Sequence, residues 1–296
     1  MIGDPSPDHQ GFLAIGGAES GVAATPVVIS VPHAGRDYPA VLLDALRGPA
    51  ATLAALEDRY IDAVALAAQG EEAMLIQRRG RGWIDLNRDV AERDPAIDAG
   101  AAAIRPGAGS AKVLSGLGLV PRRTGRTGEL WRRRFTADEV EARIASDHRP
   151  YHRALAAALA AARARFGTAV LLDLHSMPPL ARGSARVVIG DRFGRSAAPR
   201  FVARARAAVA ASGRASALNA PYAGGHIVER HGHPGEDIHA VQVEIDRSLY
   251  LDARLDRPGP GLAAAAAMVR AILDALADEA LNGDTSGGAA TLVAAE

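Results

Sequence analysis

Short apolar segments rich in β-branched residues alternate along the chain with longer, alanine-rich amphipathic segments. The apolar segments are PVVISV (26–31), AMLIQ (73–77), AVLLDLH (169–175), ARVVIG (185–190) and AVQVEI (240–245). Continuous apolar runs of this length are typical of strands that are covered on both faces. The segments at 50–69, 136–165, 196–212 and 258–280 predict helices between these strands.

This alternation predicts an α/β fold with one mixed, mostly parallel sheet flanked by helices. Ligands of such sheets bind beyond the carboxyl ends of the strands. The sequence shows no repeat and no linker, so we expect a single domain over residues 1–296. Residues 86–135, rich in Gly, Pro and Arg, are expected to form a substrate-covering loop region, and residues 283–296 a flexible tail.

Composition narrows the function classes. The 34 basic residues balance the 34 acidic residues, which argues against a nucleic-acid partner. The absence of cysteine excludes disulfides, thiolate nucleophiles and cysteine-ligated metals. Lys112 is the only lysine and no Walker sequence surrounds it. No apolar run is long enough for a membrane span and the N-terminus does not resemble a signal peptide, so we expect a cytoplasmic protein without a membrane partner. No oligomeric partner is specified.

Two predicted strands end in histidine, at His33 and His175. Both lie where the sheet is expected to open to a ligand, and neutral imidazole is a common metal ligand. A hydrolytic zinc site needs about three protein ligands and an open position. Spacing alone does not choose the carboxylate that would complete the site among Glu57, Asp58 and Asp62 on a predicted helix and Asp173, which could instead fix the ring of His175.

Glu244 is an acidic residue at the end of an otherwise apolar strand, which favours either a partner such as Arg247 or a general base with a raised pKa. Asn87 and Arg88 follow another apolar stretch, and together they could bind a substrate carboxylate. The alternative for Arg88 is a salt bridge with Asp85 or Asp89.

A glycine-rich stretch over residues 220–240 contains four histidines. We expect a flexible loop in which His226 contacts the substrate and His231, His233 and His239 lie at the surface. Ser176 lacks the glycine-flanked elbow of serine hydrolases. The stretch also lacks the strand and helix context of a dinucleotide-binding loop.

Taken in order, these motifs resemble the N-formylglutamate amidohydrolase (N-formylglutamate deformylase) family. The matching segments span about residues 25–255 and are SVPHAGRDYP, EDRYIDAVA, IDLNRD, GLGLVPRR, RIASDHRPYHRAL, LLDLHSMP, GDRFGRSA, NAPYAGGHIVERHG and VQVEIDRSLYLD. The resemblance implies a zinc-carboxypeptidase-like (phosphorylase/hydrolase-like) α/β fold. It also implies hydrolysis of N-formyl-L-glutamate to formate and L-glutamate with one Zn²⁺, as in histidine catabolism.

The resemblance further implies roles for individual residues. It makes His33, Asp58 and His175 the metal ligands and Glu244 the general base. For substrate binding it indicates four residues, Asn87, Arg88, Arg122 and His226.

The acidic motif departs from the family pattern. Members associated with histidine catabolism read Thr-Asp-Trp where this chain has Glu57, Asp58 and Arg59. The aspartate is retained, while its altered neighbours bear on substrate specificity. One alternative is a deacylase of another N-acyl amino acid, similar to aspartoacylase. A second is a non-catalytic protein that binds small anions through its arginine-rich loops without a metal.

Overall fold

The computed structural model describes residues 11–103, 110–124 and 128–283. Within these residues seven strands form one sheet in the order β1-β3-β2-β6-β9-β7-β8, and β4 pairs with β5 in a separate hairpin. The strands are β1 (Phe12–Ile15), β2 (Val27–Val31), β3 (Ala73–Gln77), β4 (Arg123–Thr124), β5 (Gly128–Glu129), β6 (Ala169–Met177), β7 (Val187–Gly190), β8 (Ser216–Leu218) and β9 (Ile238–Asp246).

The main sheet is mixed and mostly parallel. β2 runs parallel to both β3 and β6, β6 runs parallel to β9, and β7 runs parallel to β8. Only the pairs β1–β3 and β7–β9 of this described sheet are antiparallel. The predicted α/β class with a mixed, mostly parallel sheet is confirmed.

Helices cover both faces of the sheet. They are α1 (Gly17–Ser20), α2 (Ala40–Asp44), α3 (Ile61–Ala68), α4 (Ala111–Leu114), α5 (Ala137–Arg143), α6 (Arg149–Phe166), α7 (Pro199–Ala211), α8 (His226–His231) and α9 (Leu262–Asn282). Val27, Ile29 and Val31 of β2 pack into one core with α3, α7 and α9, while Val28 packs into a second core with α5 and α6. This division follows from the alternation of side chains along a strand.

The prediction of one continuous helix over residues 50–69 is wrong, because the helix is broken in its middle. Residues Ala50–Leu56 form a 3₁₀ helix, and α3 begins only at Ile61. Tyr60, which precedes α3, has a left-handed backbone with φ of 55°. A β-turn-like break thus separates two helical pieces, and Asp58 lies in this break rather than on a helix.

The helix predicted at 136–165 is interrupted. Thr136 caps α5 through a capping box with Glu139. A π-helical turn, Ile144–His148, then joins α5 to α6. The predicted tail at 283–296 lies outside the described residues apart from Gly283.

The segment predicted as a substrate-covering region, residues 86–135, is described except for residues 104–109 and 125–127. It carries α4 and the β4–β5 hairpin, and its residues Asn87, Arg88, Lys112 and Leu117 line the cavity considered below. Across the described ranges, no helix combines the length and apolarity that a bilayer crossing requires.

Candidate active site

A cavity of about 360 Å³ opens at the carboxyl ends of β2 and β6. His33 lies two residues beyond the end of β2, and His175 lies near the end of β6. Both side chains line the cavity, as do Asp58 and Glu244. The turn after His33 passes close to the main chain of Arg79. Only glycine fits at position 35 in this turn, because a Cβ atom there would lie 2.2 Å from the carbonyl oxygen of Arg79. The turn therefore holds His33 at the edge of the sheet.

Three potential ligand atoms converge at the base of this cavity. Asp58 Oδ2 lies 3.1 Å from Nδ1 of His175 and 3.7 Å from Nδ1 of His33. One ligand atom from each of the three residues can be chosen so that all lie within 4.8 Å of one another. All three side chains are buried.

Two buried carboxylates fix the orientation of the histidine rings. Nε2 of His33 donates to Asp85 Oδ1 at 2.8 Å, and Nε2 of His175 donates to Asp173 Oδ2 at 2.9 Å. A carboxylate only accepts hydrogen bonds, so each ring carries its proton on Nε2 and turns Nδ1 towards Asp58. Asp173 is thus an acceptor for the ring of His175, one of the two possibilities that its spacing left open.

This donor set fits a divalent metal. Two imidazole nitrogens and one carboxylate oxygen, with a carboxylate behind each ring, are ligands and supporting groups that zinc commonly uses. Burial opposes the charge on Asp58, but in the metal-free protein a proton shared between Nδ1 of the neighbouring imidazoles and Asp58 outweighs burial and holds the pKa of Asp58 well below its ordinary value. Without a cation, the lone pairs of the two Nδ1 atoms and of Asp58 Oδ2 would repel one another. A proton or a metal ion must therefore lie between these three atoms.

The main chain delivers Asp58, and not Glu57, to this cluster. The amide of Asp58 donates to the carbonyl of His33 at 3.0 Å, which fixes the break before α3 beside the first histidine. Glu57 points elsewhere, because its oxygens accept from Tyr38 at 2.5 Å and from Arg59 at 2.8 Å.

The strand register places Glu244 next to His175. The two residues are paired between β6 and β9, and paired residues of parallel strands project to the same face. Gln242 Nε2 donates to Glu244 Oε1 at 2.9 Å. Burial raises the pKa of Glu244 and the nearby charge of His175 lowers it. The effect of burial is larger, and the pKa is about 7. Arg247, the partner considered from the sequence, instead donates to Asp58 Oδ1 at 3.1 Å.

Asn87 and Arg88 form one wall of the cavity. Asn87 Oδ1 accepts from the amide of Ile227 at 2.8 Å, and its Nδ2 lies 3.4 Å from Nε2 of His175. The carboxamide of Asn87 packs against the main chain at Gly225. A larger residue would not fit there, because a Cβ atom at Gly225 would lie 2.4 Å from this carboxamide. Arg88 Nε donates to the carbonyl of Leu117 at 2.8 Å.

Comparisons with known proteins identify the family of this chain. The N-formylglutamate amidohydrolase family model matches residues 25–251. The chain belongs to the N-formylglutamate amidohydrolase family. It is 30% identical to the N-formylglutamate deformylase of Pseudomonas putida, over 77% of this chain and 82% of that protein. It is 37% identical to the Pseudomonas aeruginosa deformylase, but that match covers 40% of this chain and only 46% of the relative.

Solved structures give the same family and fold. The N-formylglutamate amidohydrolase from Ralstonia eutropha JMP134 superposes with a TM-score of 0.77 at 28% identity, covering 89% of this chain and 96% of that one. The gene product Atu2144 from Agrobacterium tumefaciens superposes with a TM-score of 0.63 at 17% identity, covering 93% and 96% of the two chains. The second likeness shows the fold alone.

Glu57 and Arg59, the two neighbours of Asp58 in the acidic motif, pair with each other. Arg59 Nη1 donates to Glu57 Oε2 at 2.8 Å, and neither residue lines the cavity. These two residues therefore form an ion pair beside the site and leave Asp58 in it.

Arg122 is not brought to the cavity. Its guanidinium donates to Asp94 at 2.6 Å and to Glu129, and these two acids balance its charge. Arg122 does not line the cavity that holds the His33, Asp58 and His175 cluster. His226 does not line this cavity either. It begins α8 and lines a neighbouring cavity of about 610 Å³, which shares Asn87, Arg88, Lys112, Gly224 and Gly225 with the first.

The expectation of a flexible loop with surface histidines at 220–240 is wrong in part. His231 and His239 are buried, at 5% and 2% exposure, whereas His233 is exposed. The glycines permit close packing instead, because a Cβ atom at Gly232 would lie 2.6 Å from the carbonyl oxygen of Ser196. The stretch folds into α8 and joins β9.

His148, His152 and His226 form a second group whose ligand atoms lie within 4.8 Å of one another. Its hydrogen bonds do not fit three metal bonds. His148 Nε2 donates to the carbonyl of Arg88 at 2.8 Å, and His152 Nε2 donates to the carbonyl of Leu86 at 3.0 Å. Each ring then keeps one lone pair for any other partner.

The remaining lone pair of His152 is already used. Its Nδ1 lies 2.9 Å from His231 Nε2, which must donate to it. Burial holds the pKa of His152 well below its ordinary value and lowers that of His231 to about 3, so both rings are neutral. This group therefore holds the main chain on both sides of Asn87 and is not a second metal centre.

Sequence reasoning missed several residues that line or support the site. The sequence pattern indicates Asp85 only as a partner of Arg88 and does not single out Arg81, Tyr222 or Gln242. Arg81 lines the cavity and its Nε donates to Asp85 Oδ2 at 2.8 Å. The available signal was an acid in WIDLN beside apolar residues that were expected to be buried.

Proposed function

We propose that this protein is a zinc-dependent amidohydrolase that removes the formyl group from an N-formyl amino acid, with N-formyl-L-glutamate as its substrate. The observation that carries this proposal is that Asp58 Oδ2 lies near Nδ1 of both His33 and His175, beside Glu244 in one cavity. The names of the family and of its relatives support the substrate.

His33, Asp58 and His175 would hold the metal. When bound, Zn²⁺ acidifies water and polarises a carbonyl oxygen. The protein keeps these ligands ready, because Asp85 and Asp173 fix the protonated ring nitrogens and leave Nδ1 of each ring for the ion.

Glu244 moves the proton. Gln242 binds its Oε1, so Oε2 takes up the proton from the attacking water. A carboxyl group with a pKa of about 7 can accept this proton near neutral pH and return it to the leaving amine. Formate and a free amino group result, with no net change in protons bound to Glu244.

Asn87 and Arg88 orient the substrate. Arg88 Nε and Nη1 are bound to the carbonyls of Leu117 and Asn87, and these bonds fix the plane of its guanidinium. Its charge is available to the α-carboxylate of the amino acid, which accepts hydrogen bonds from a guanidinium edge and from a carboxamide. Holding the substrate in this way places its formyl group near Glu244.

The test is release of formate from a panel of N-formyl amino acids and the matching N-acetyl amino acids. We expect turnover of N-formyl-L-glutamate above all others, loss of turnover with a chelator, and recovery on adding Zn²⁺. Preferred cleavage of an N-acetyl substrate would overturn the formyl assignment. Full activity in metal-depleted protein, checked by elemental analysis, would overturn the zinc assignment.

A further inference from the structure

The cationic side chains of the cavity differ in how far the protein neutralises them. Four described cations line the cavity: Arg81, Arg88, Lys112 and Arg247. Arg81 Nε donates to Asp85 Oδ2 at 2.8 Å, and Arg247 Nη2 donates to Asp58 Oδ1 at 3.1 Å. These two charges are balanced by buried carboxylates.

The other two cations have no carboxylate partner of their own. The hydrogen bonds of Arg88 go to carbonyl groups, and Asp85 Oδ2 lies 3.8 Å from Arg88 Nε and already accepts from Arg81. The ammonium group of Lys112 forms no hydrogen bond or ion pair with any residue that the structure describes, and its partly exposed side chain lines the cavity.

The backbone holds these two cations on the same wall. The carbonyl of Lys112 accepts from the amide of Leu117 at 2.8 Å, and the carbonyl of Leu117 accepts from Arg88 Nε at 2.8 Å. Ser110 caps the short helix α4 that carries Lys112, and its Oγ donates to Glu92 at 2.8 Å. Partial burial and the charges of Arg88 and Arg81 lower the pKa of Lys112.

We propose that Lys112 binds the side-chain carboxylate of the substrate and thereby determines the preference for an acidic N-formyl amino acid. This inference rests on the proposed function. An N-formyl dicarboxylate brings two negative charges, and this wall offers two cations, one that only shares a carboxylate with Arg81 and one without a carboxylate partner among the described residues. Arg88 takes the α-carboxylate, and Lys112 takes the second one.

The test compares kcat/KM for N-formylglutamate with that for N-formylglutamine, which has the same shape and a neutral side chain. Lys112→Met should lower the preference for the glutamate substrate about tenfold, because it removes one charge-assisted hydrogen bond to the side-chain carboxylate. Most of that change should be in KM, and Lys112→Arg should retain most of the preference. Arg153→Met, which removes an exposed cation on α6 away from both cavities, is the matched control and should leave the preference unchanged.

A second readout does not depend on turnover. Because Lys112 is the only lysine, an amine-acylating reagent modifies only this side chain and the chain terminus. L-Glutamate should protect Lys112 from acetylation several-fold more than L-glutamine does, with the terminal amine as internal standard in peptide mass spectra.

The outcomes separate this inference from the proposed function. Equal losses with both substrates in Lys112→Met, or equal protection by both amino acids, would overturn the role of Lys112 even if the wild-type protein releases formate. Failure of the wild-type protein to release formate from any substrate would overturn the proposed function, and the protection experiment would still decide whether Lys112 binds the carboxylate.

Discussion

Replacement of Glu244 by glutamine tests the assignment of the general base. The amide keeps the shape of the side chain, and its oxygen can still accept from Gln242 Nε2, so the β6–β9 pairing should persist. The amide cannot accept the proton of water. General-base catalysis is worth roughly 10²- to 10⁴-fold in rate, so Glu244→Gln should lower kcat by that factor, about 2.7–5.5 kcal/mol of transition-state stabilisation.

The pH profile adds a second signature. Burial raises the pKa of Glu244 to about 7, and only the ionised form can act as a base. The rate should therefore fall as the pH falls through this pKa. A bound divalent cation favours the ionised form, so the midpoint in the metal-loaded enzyme should lie at or below pH 7. Glu244→Gln should lack this acidic limb.

The assay is formate release by the zinc-loaded proteins between pH 5 and 9, with zinc content measured in parallel. Glu236→Gln, an exposed glutamate in the turn before β9, is the control and should behave as wild type. The assignment fails if Glu244→Gln retains wild-type kcat with full zinc content. It also fails if the acidic limb persists in the variant at the same pH.

Two further substitutions test the metal ligands and the turn that carries His33. Loss of a residue that supports a metal ligand costs ~10- to 100-fold in metal affinity, and Asp58→Asn, which alters a ligand itself, should weaken zinc binding by more than that. Glu57→Gln should retain zinc. Equal zinc affinities of the two variants in chelator competition would contradict the ligand assignment. Gly35→Ala would force a Cβ atom to 2.2 Å from the carbonyl oxygen of Arg79, so unfolding in urea should show a loss of at least ~1–3 kcal/mol. Gly235→Ala, where nothing lies within 4 Å of the added atom, should be near neutral, and equal stabilities would refute the steric argument.

The strands of the sheet core were predictable because they are buried on both faces. AMLIQ corresponds to β3 at both ends, and the segments at 169–175 and 240–245 lie within β6 and β9. The helix boundaries around residue 58 were not predictable in this way. Alanine-rich sequence is compatible with a continuous helix, and the amide of Asp58 bonds to His33 only after the two segments meet.

The sequence by itself determined the fold class, the family and two histidines at strand ends, because these depend on local patterns and on the order of motifs along the chain. Only the tertiary structure decided which groups act together. It placed Asp85 and Asp173 behind the rings of His33 and His175, and it took Arg122 away from the cavity. The reason is physical: hydrogen bonds and charge pairs join residues far apart in sequence, so their partners are fixed only when the strands and loops have packed.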